Sequence, residues 1–482
     1  MPPIPDVDVR VTDGALGFVP TDAQTTTAKI GVATGGVPNT VYAFTEKETL
    51  RATLLGGPVV EAAADTLDDS GGTVLIVPVN PSVPGSAGPV SHKGTGLATM
   101  SVTGAPKDAT QVIVEILQPG VLSKASFRVS IDAGNNFSPE TAMPLSGSYP
   151  LLDTGLTLVF STVPGLFIAG DTYALNCTAP AYTATDAFAA FTALLADARR
   201  WKLVHVVGTP GGVDDTAKAT ASAALAAAIG SKMAEAGTAH RYARALLEAP
   251  DVADAALVAA FLMFVDPRIA VAGGFIDHLS ALSGRIFKRP AAWAVATRVA
   301  KIPISQDAAW VGAPQGPLPA SVRKLYRDER KTPALDAARF ITLRTIVGRT
   351  GFYITNPWTM ALATSDYALL QNGLVIDEAC SASYDAMVEY LSATLTVDAK
   401  TGRIDEIDAV AAESKVFSRV GAAVLQPGHV SLLLVRINRT DNLLSTRKLR
   451  WKVRAIPHAY PKSIEVEIGF LNPALTVLPT AA

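Results

Sequence analysis

Apolar and polar positions alternate most cleanly near the C-terminus. Within residues 446–456, Leu449, Trp451, Val453 and Ala455 fall on one side and Lys448, Arg450, Lys452 and Arg454 on the other, the period of two that sends successive side chains to opposite faces of a strand. After a turn over residues 457–461, Ile464, Val466 and Ile468 alternate with Ser463, Glu465 and Glu467. The whole stretch 430–470 thus predicts three strands. Antiparallel pairing would set the cationic row beside the acidic pair, with each cross-strand pair adding roughly 0.2–1 kcal/mol. A matching fourth run sits at the other end of the chain, where Val7, Val9 and Val11 alternate with Asp8 and Arg10 before Asp13 and Gly14. A lone terminal strand leaves its backbone groups and its apolar face uncovered, so it must join a sheet.

Between these ends the periodicity changes three times. Residues 29–33, 40–44 and 73–79 predict strands, with a helix over 46–55 capped by Thr45 and another over 59–69 that stops at Gly71 and Gly72. This is a strand, helix, strand unit suited to a sheet with helices on its faces. Residues 80–96 turn to Pro, Ser and Gly, and 96–181 then lack helical spacing; strands are expected at 111–117, 125–131, 156–160 and 171–177, a small antiparallel sandwich or barrel inserted into the α/β domain. Helix resumes at 186–200, capped by Thr185, followed by a strand at 202–207, a long Ala-rich helix at 214–236, a strand at 241–248 and packed apolar segments at 253–266 and 273–287. Residues 302–335, rich in Pro and charge, predict a surface excursion. Beyond them come a strand pair at 340–347 and 350–356, helices at 363–380, 383–394 and 409–424, and an apolar tail at 471–482. The implied units are an arm at 1–20, an α/β domain at 21–95 and 182–335, the β insertion at 96–181, a second α/β domain at 336–470 and a second arm at 471–482.

Composition narrows the function. With 482 residues, 49% apolar and 17% charged, the chain has material for several cores. A net charge of −2 argues against bulk binding of nucleic acid or anionic membrane by charge alone. Residues 1–5 lack the basic region and apolar stretch of an export signal, and no apolar run is long enough to span a bilayer, so a soluble protein made and kept in a cytoplasm is expected. Cys177 and Cys380 are far apart and outside any metal-binding spacing.

No candidate chemistry matures into an active site. Asp69-Ser70-Gly71-Gly72 contains the core of a trypsin-like nucleophile loop, but it closes a helical stretch and reads as a helix C-terminus. Residues 208–212 have the outline of a phosphate loop without its spacing, and Asp214 and Asp215 put negative charge where phosphate would sit, so they read as helix caps. His92, His205, His240, His278, His429 and His458 form no ligand pair at helical spacing. The cations Arg436, Arg439, Arg447, Lys448, Arg450, Lys452 and Arg454 lack interleaved aromatics on their face and suit a partner protein or a neighbouring strand better than nucleic acid.

The order of parts resembles the sheath proteins of contractile phage tails and related injection machines. The resemblance rests on VDVRVTDGALGFVP at 7–20, KIGVATG at 29–35 and GGTVLIVPV at 71–79. In the insertion it rests on the Gly-Thr-Gly at 94–96, the hairpin at 129–135 and the Gly-Asp-Thr-Tyr at 170–173. Towards the C-terminus it rests on 351–357, 366–371 and the closing strands before Asn472-Pro473. It implies a tail-sheath-like α/β core with an inserted antiparallel β-domain and extended arms, in a non-enzymatic subunit without cofactors or metal. It further implies stacked hexameric rings around a tail tube, with baseplate and tail terminator proteins as further partners, no direct nucleic acid and no stable membrane insertion, in a virion assembled in a bacterial cytoplasm. Strand exchange would use Val7, Val9, Val11, Leu475 and Val477 as donors and Leu449, Trp451, Val453, Ile464, Val466 and Ile468 as acceptors. Gly14, Gly17 and Pro20 would be hinges, and Asp408, Glu413, Lys415 and Arg419 the tube contact. Two alternatives stay open: the sheath of a non-phage injection or secretion machine, and an α/β enzyme with a β insertion.

Overall fold

The computed structural model describes residues 26–470. Its centre is a sheet of β1 (Thr27–Val32), β2 (Tyr42–Phe44), β3 (Val74–Val79), β12 (Leu203–Val206), β13 (Arg244–Glu248) and β14 (Ile269–Ala272), in the order β14-β13-β12-β1-β3-β2. All pairings are parallel except that of β2 with β3. Parallel strands are covered on both faces and so carry near-continuous apolar runs; every residue of β1, β3, β12, β13 and β14 is buried. The covering helices are α1 (Lys47–Leu54), α2 (Pro58–Ser70), α3 (Ala184–Ala196), α4 (Asp215–Thr238), α5 (Asp254–Phe261) and α6 (Ala292–Lys301). Phe191, Leu225 and Ile229 of α3 and α4 pack on Ala28, Ile30, Val204 and Val206. On the opposite face Trp293 of α6 packs with Val59 and Val60 of α2 over Val74 and Ile76.

Two caps differ from expectation. α3 starts two residues earlier, because Thr183 forms a reciprocal box with Asp186, which Thr185 is too close to make. α1 has Glu46, not Thr45, at its cap, without a side-chain bond, because burial of Leu50 and Leu54 sets its register. Asp69-Ser70-Gly71-Gly72 closes α2, with Gly71 left-handed (φ 63°) and its N–H donating to Leu67 O. Asp214 caps α4 through the Ala217 N–H, 2.8 Å away.

Residues 91–177 fold around a separate core. β4 (Ser91–Lys93), β5 (Thr99–Gly104), β6 (Thr110–Gln118), β7 (Ser126–Ser130), β8 (Thr141–Ala142), β9 (Ser148–Leu151), β10 (Leu156–Ser161) and β11 (Thr172–Cys177) make two antiparallel sheets, β5-β10-β9 and β4-β11-β6-β7-β8. Val112, Val114, Phe127, Leu158, Phe160 and Phe167 fill the space between them. Bridges Val83–Ala181 and Ala87–Cys177 form the stem to the body, which Asp108 also reaches through a bidentate pair with the buried Arg289.

The apolar segment 273–287 contains β15 (Phe275–Leu279) and leads into β16 (Ile286–Pro290), which form a sheet with β17 (Val322–Leu325). Residues 302–335 are therefore not a plain surface excursion: most of them stay at least partly exposed, but buried anchors tie the segment to the body. Ile302, Ile304, Ala308, Leu318 and Val322 are buried in the largest core. The charges between them are satisfied locally: Asp328 accepts from Thr345 Oγ1 and the Thr345 and Arg330 amides, and Glu329 from the Ala334 and Asp336 amides. Single apolar anchors spaced among prolines leave no periodicity to detect.

β18 (Leu343–Arg344) and β19 (Tyr353–Ile354) pair as expected. α7 (Leu370–Met387) begins seven residues later than its sequence limit, because Thr359 N–H to Ala368 O and Leu370 N–H to Pro357 O fold the preceding residues back as a loop. The helix expected at 383–394 is the end of α7 and a short 3₁₀ turn at Val388–Tyr390. Gly373, which weakens a helix by itself, is required here: a Cβ would lie 2.5 Å from the Arg244 guanidinium carbon. α8 (Glu406–Val424), β20 (Leu432–Ile437), α9 (Leu443–Thr446) and β21 (Trp451–Ile456) complete the described chain. Both cysteines are free thiols.

Candidate functional site

The C-terminal alternation becomes a two-stranded sheet lying on a helix. β20 and β21 pair antiparallel from Leu432 opposite Ile456 to Ile437 opposite Trp451. Leu433, Val435 and Ile437 are buried, and Trp451, Val453 and Ala455 pack partly buried beside them against Val416, Val420 and Val424 of α8. Leu449 lies half-buried near Ile437, and the Trp451 ring meets Tyr390 at 5.6 Å. The other face shows Leu432, Leu434, Arg436, Lys452, Arg454 and Ile456 to solvent. Among the described residues neither strand has a second neighbour, so each presents an open edge.

The chain leaves this sheet in a defined direction. His458 Nε2 donates to Gly428 O at 2.8 Å, Tyr460 Oη to Ser305 O at 2.6 Å, and Lys462 pairs with Asp307 at 2.5 Å. After Lys462 the fastening stops. Ile464, Val466 and Ile468 are 82%, 71% and 89% exposed, and residues 457–470 form no strand. The expected third strand is therefore absent from this sheet, and Glu465 and Glu467 do not lie beside the cationic row: the Leu434–Arg454 and Arg436–Lys452 pairs occupy that face. Val7, Val9, Val11, Gly14, Gly17, Pro20, Leu475 and Val477 lie outside the described residues.

The four residues expected at the tube divide. Glu413 points into the α8–β20 junction, where it accepts the Ile437 N–H at 2.6 Å and ion-pairs with Arg436 at 3.0 Å and with Arg439. These bonds hold its carboxyl at about 2, against the cost of burial. Arg439 also forms a bidentate pair with Glu406. Asp408 accepts the Thr396 N–H at 2.6 Å. Only Lys415 and Arg419 come together on the outer side of α8, sharing the two carboxylate oxygens of Glu389 at 2.8 and 2.6 Å. The parts played by Glu389, Glu406 and the Tyr460–Ser305 bond carry no local sequence signal, since each partner is remote in the chain.

Buried polar groups elsewhere lock elements together. Lys29, His205 and Glu248 lie in a row across β1, β12 and β13, with Lys29 Nζ 3.2 Å from His205 Nδ1 and His205 Nε2 3.1 Å from Glu248 Oε1. Burial lowers His205 to about 4 and Lys29 to about 8, so a neutral imidazole accepts from Lys29 and donates to Glu248. Glu248 also takes Trp293 Nε1–H and the Gly208 N–H, each at 2.8 Å. A carboxylate therefore already occupies the amide that a phosphate loop would offer. His278 stands 3.3 Å from Asp65, and Ser305 is 3.0 Å from His429. His92 and His240 stack on Tyr173 and Tyr384. Among the described residues no group of acidic, His or Cys side chains has the arrangement of a metal site, and no helix is long and apolar enough to cross a membrane.

Comparison with known proteins follows the same lines. Residues 4–357 match the family model described as "DUF2586, N-terminal domain". The structure superposes on a chain of the anti-feeding prophage baseplate in its contracted state (TM-score 0.55, 13% identity, 99% of each chain). It also superposes on the anti-feeding prophage helical sheath in the contracted state (0.52, 10% identity, 97% of this chain and 99% of that one). A third match is the sheath complex of an extracellular contractile injection system, PVC, in its contracted state (0.50, 8% identity, 97% of each chain). No curated protein matches the sequence. At these identities the superpositions establish the fold, and the sequence match covers most of the chain: this protein belongs to the DUF2586 family and has the fold of contractile-sheath subunits.

Proposed function

We propose that the chain is the sheath subunit of a contractile phage tail. It polymerises as stacked hexameric rings around a tail tube and contracts to drive the tube through an envelope. The observation that carries this reading is the open-edged β20–β21 sheet beside a segment that leaves the body at Lys462 with Ile464, Val466 and Ile468 uncovered. Burying three such side chains against a neighbouring sheet is worth roughly 1.5–3 kcal/mol each, and each ladder hydrogen bond about 1 kcal/mol net. Ordering the strand costs about 1–2 kcal/mol per residue. Each link is therefore weak alone and accumulates only in a lattice, which suits neighbours that stay joined while their bodies slide.

In this scheme residues 7–11 and 471–478 are the donated strands, residues 463–468 join β21 in the accepting sheet where a neighbour's strand covers Ile464, Val466 and Ile468, and Gly14, Gly17 and Pro20 let the N-terminal arm change direction. The division into units follows the sequence reading, with β4 (Ser91–Lys93) counted in the β insertion. The tube-facing side of α8 is the one carrying Lys415 and Arg419; Glu413 serves the sheet. Tube, baseplate and terminator proteins are the partners, and the working energy is the difference between two packings, so no catalytic step is required. Deleting residues 463–482, or residues 1–14, tests the scheme by electron microscopy of purified protein with and without its tube. A folded body that forms no tubes or rings is expected. Tubes of normal length from either truncation refute arm exchange.

A further inference from the structure

The inserted β-domain carries an apolar pole that the sheath reading does not use. Its strands run between two ends. At one, the Val83–Ala181 and Ala87–Cys177 bridges and the Asp108–Arg289 pair join the body. At the other, the four turns at 93–98, 119–124, 143–148 and 161–170 meet. They are laced into one rigid surface: Gly120 and Phe167 exchange both backbone hydrogen bonds, the Ser123 N–H donates to Met143 O, and the Phe160 N–H to Gly147 O. The Asp171 carboxylate is buried and takes the Thr95 and Gly96 amides at 3.0 and 3.1 Å.

On that rigid base Leu97, Val121, Leu145, Val163, Leu166 and Ile168 stand 67%, 44%, 77%, 76%, 51% and 37% exposed. Clustered exposed apolar side chains mark an interaction site, whereas scattered ones do not. The exposed charges on the four turns themselves are cationic, Lys93 and Lys124; the acidic neighbours are Asp171, buried beneath the Thr95 and Gly96 amides, and Glu140, exposed on the flank and bonded to Ser126 and Gln118.

We infer that this pole docks peripherally on an anionic lipid surface, with the apolar tips entering the headgroup boundary and Lys93 and Lys124 meeting the lipid charges. A protein partner normally finds an aromatic or Arg anchor at the centre of a polar rim. Here the exposed tips are aliphatic, on four separate turns whose own exposed charges are the two lysines, the combination an interfacial lipid contact uses. The contact needs no spanning segment, and it goes beyond the sheath reading without depending on it.

Flotation of the full-length protein with vesicles of phosphatidylcholine mixed with phosphatidylglycerol, and with phosphatidylcholine alone, is the test. The wild type should float with the mixed vesicles. Leu145→Asp with Val163→Asp should reduce partitioning at least about tenfold on both vesicles, with an unchanged near-ultraviolet circular dichroism spectrum showing that the domain is folded. Lys93→Glu with Lys124→Glu should lower binding to mixed vesicles by about tenfold or more and leave phosphatidylcholine alone unaffected. Failure of the wild type to float, or equal flotation of the Asp variant, overturns the proposal. So does a lipid-free drop in sedimentation coefficient for the Asp variant, which would assign the pole to a second copy of the chain. Tube formation by the same variants, seen by microscopy, is read separately, so loss of lipid binding and loss of assembly stay distinguishable.

Discussion

Removing the Glu413 carboxylate should release α8 from β20 without unfolding the rest of the chain. In Glu413→Ala the Ile437 N–H loses its acceptor at 2.6 Å, and Arg436 and Arg439 lose their shared counter-charge. An unsatisfied buried amide costs about 1–3 kcal/mol. The ionic part follows from the carboxyl titrating at about 2 instead of 4.5, which is at most about 3 kcal/mol above pH 4.5. Arg436 and Arg439 are 71% and 30% exposed, so screening brings it to roughly 1–2. Local opening of the β20–β21 sheet should therefore become easier by about 2–5 kcal/mol in Glu413→Ala, and by about 1–2 in Glu413→Gln, which keeps an acceptor for Ile437. Hydrogen exchange of peptides covering β20 and β21 reads this directly, with β3 of the central sheet as an unchanged control. The sign with pH is definite: the depressed carboxyl contributes its stability above pH 4.5 and loses it as pH falls towards 2, in the wild type but not in Glu413→Gln. Unchanged β20 and β21 protection in both variants would refute the clasp. If tube binding alone were lost in them, Glu413 would be a tube contact after all.

Two further perturbations probe the body. Burial pushes the Asp65 carboxyl up to about 8 and lowers His278 beside it to about 4. The raised group contributes stability at low pH that is lost as pH climbs through 8, and the depressed group acts oppositely between 4 and 6.5. The two offset below 6.5 and leave a net loss between about 6.5 and 8, on the order of 2 kcal/mol. Asp65→Asn should flatten that slope in urea midpoints at pH 6.5 and 8, and an unaltered drop in the variant counts against the pair. Arg244 makes two bonds to the Asp377 carboxylate, 2.6 and 3.1 Å, and two to the Pro267 and Gly373 carbonyls. Arg244→Met strands a buried carboxylate and should lower stability by about 3–5 kcal/mol, while adding Asp377→Leu should restore most of it. Equal melting temperatures for the single and double variants would show that the charge pairing is not what matters there.

Much of this molecule is written in local pattern. The buried run of β3, the glycine stop of α2, the aspartate cap of α4 and the alternation that turns Trp451 and Val453 inward are each contained in a window of a dozen residues or fewer. Such windows encode period and termination, so elements and faces were legible. Partners were not. Residues 302–335 look like loop because their buried anchors are single residues, and the tertiary core alone makes Ile302, Leu318 and Val322 interior. Arg244 meets Asp377 across 133 positions, and Glu413 meets Arg439 across 26; charge in a sequence names a possible pair, while packing decides which one is dry. Residues 463–468 make the same point at the site. Their alternation sets which side chains share a face, but the described body supplies no neighbouring strand, so they lie exposed where a third strand was expected. A strand's faces are a property of its own backbone, and its pairing is a property of whatever edge comes within reach.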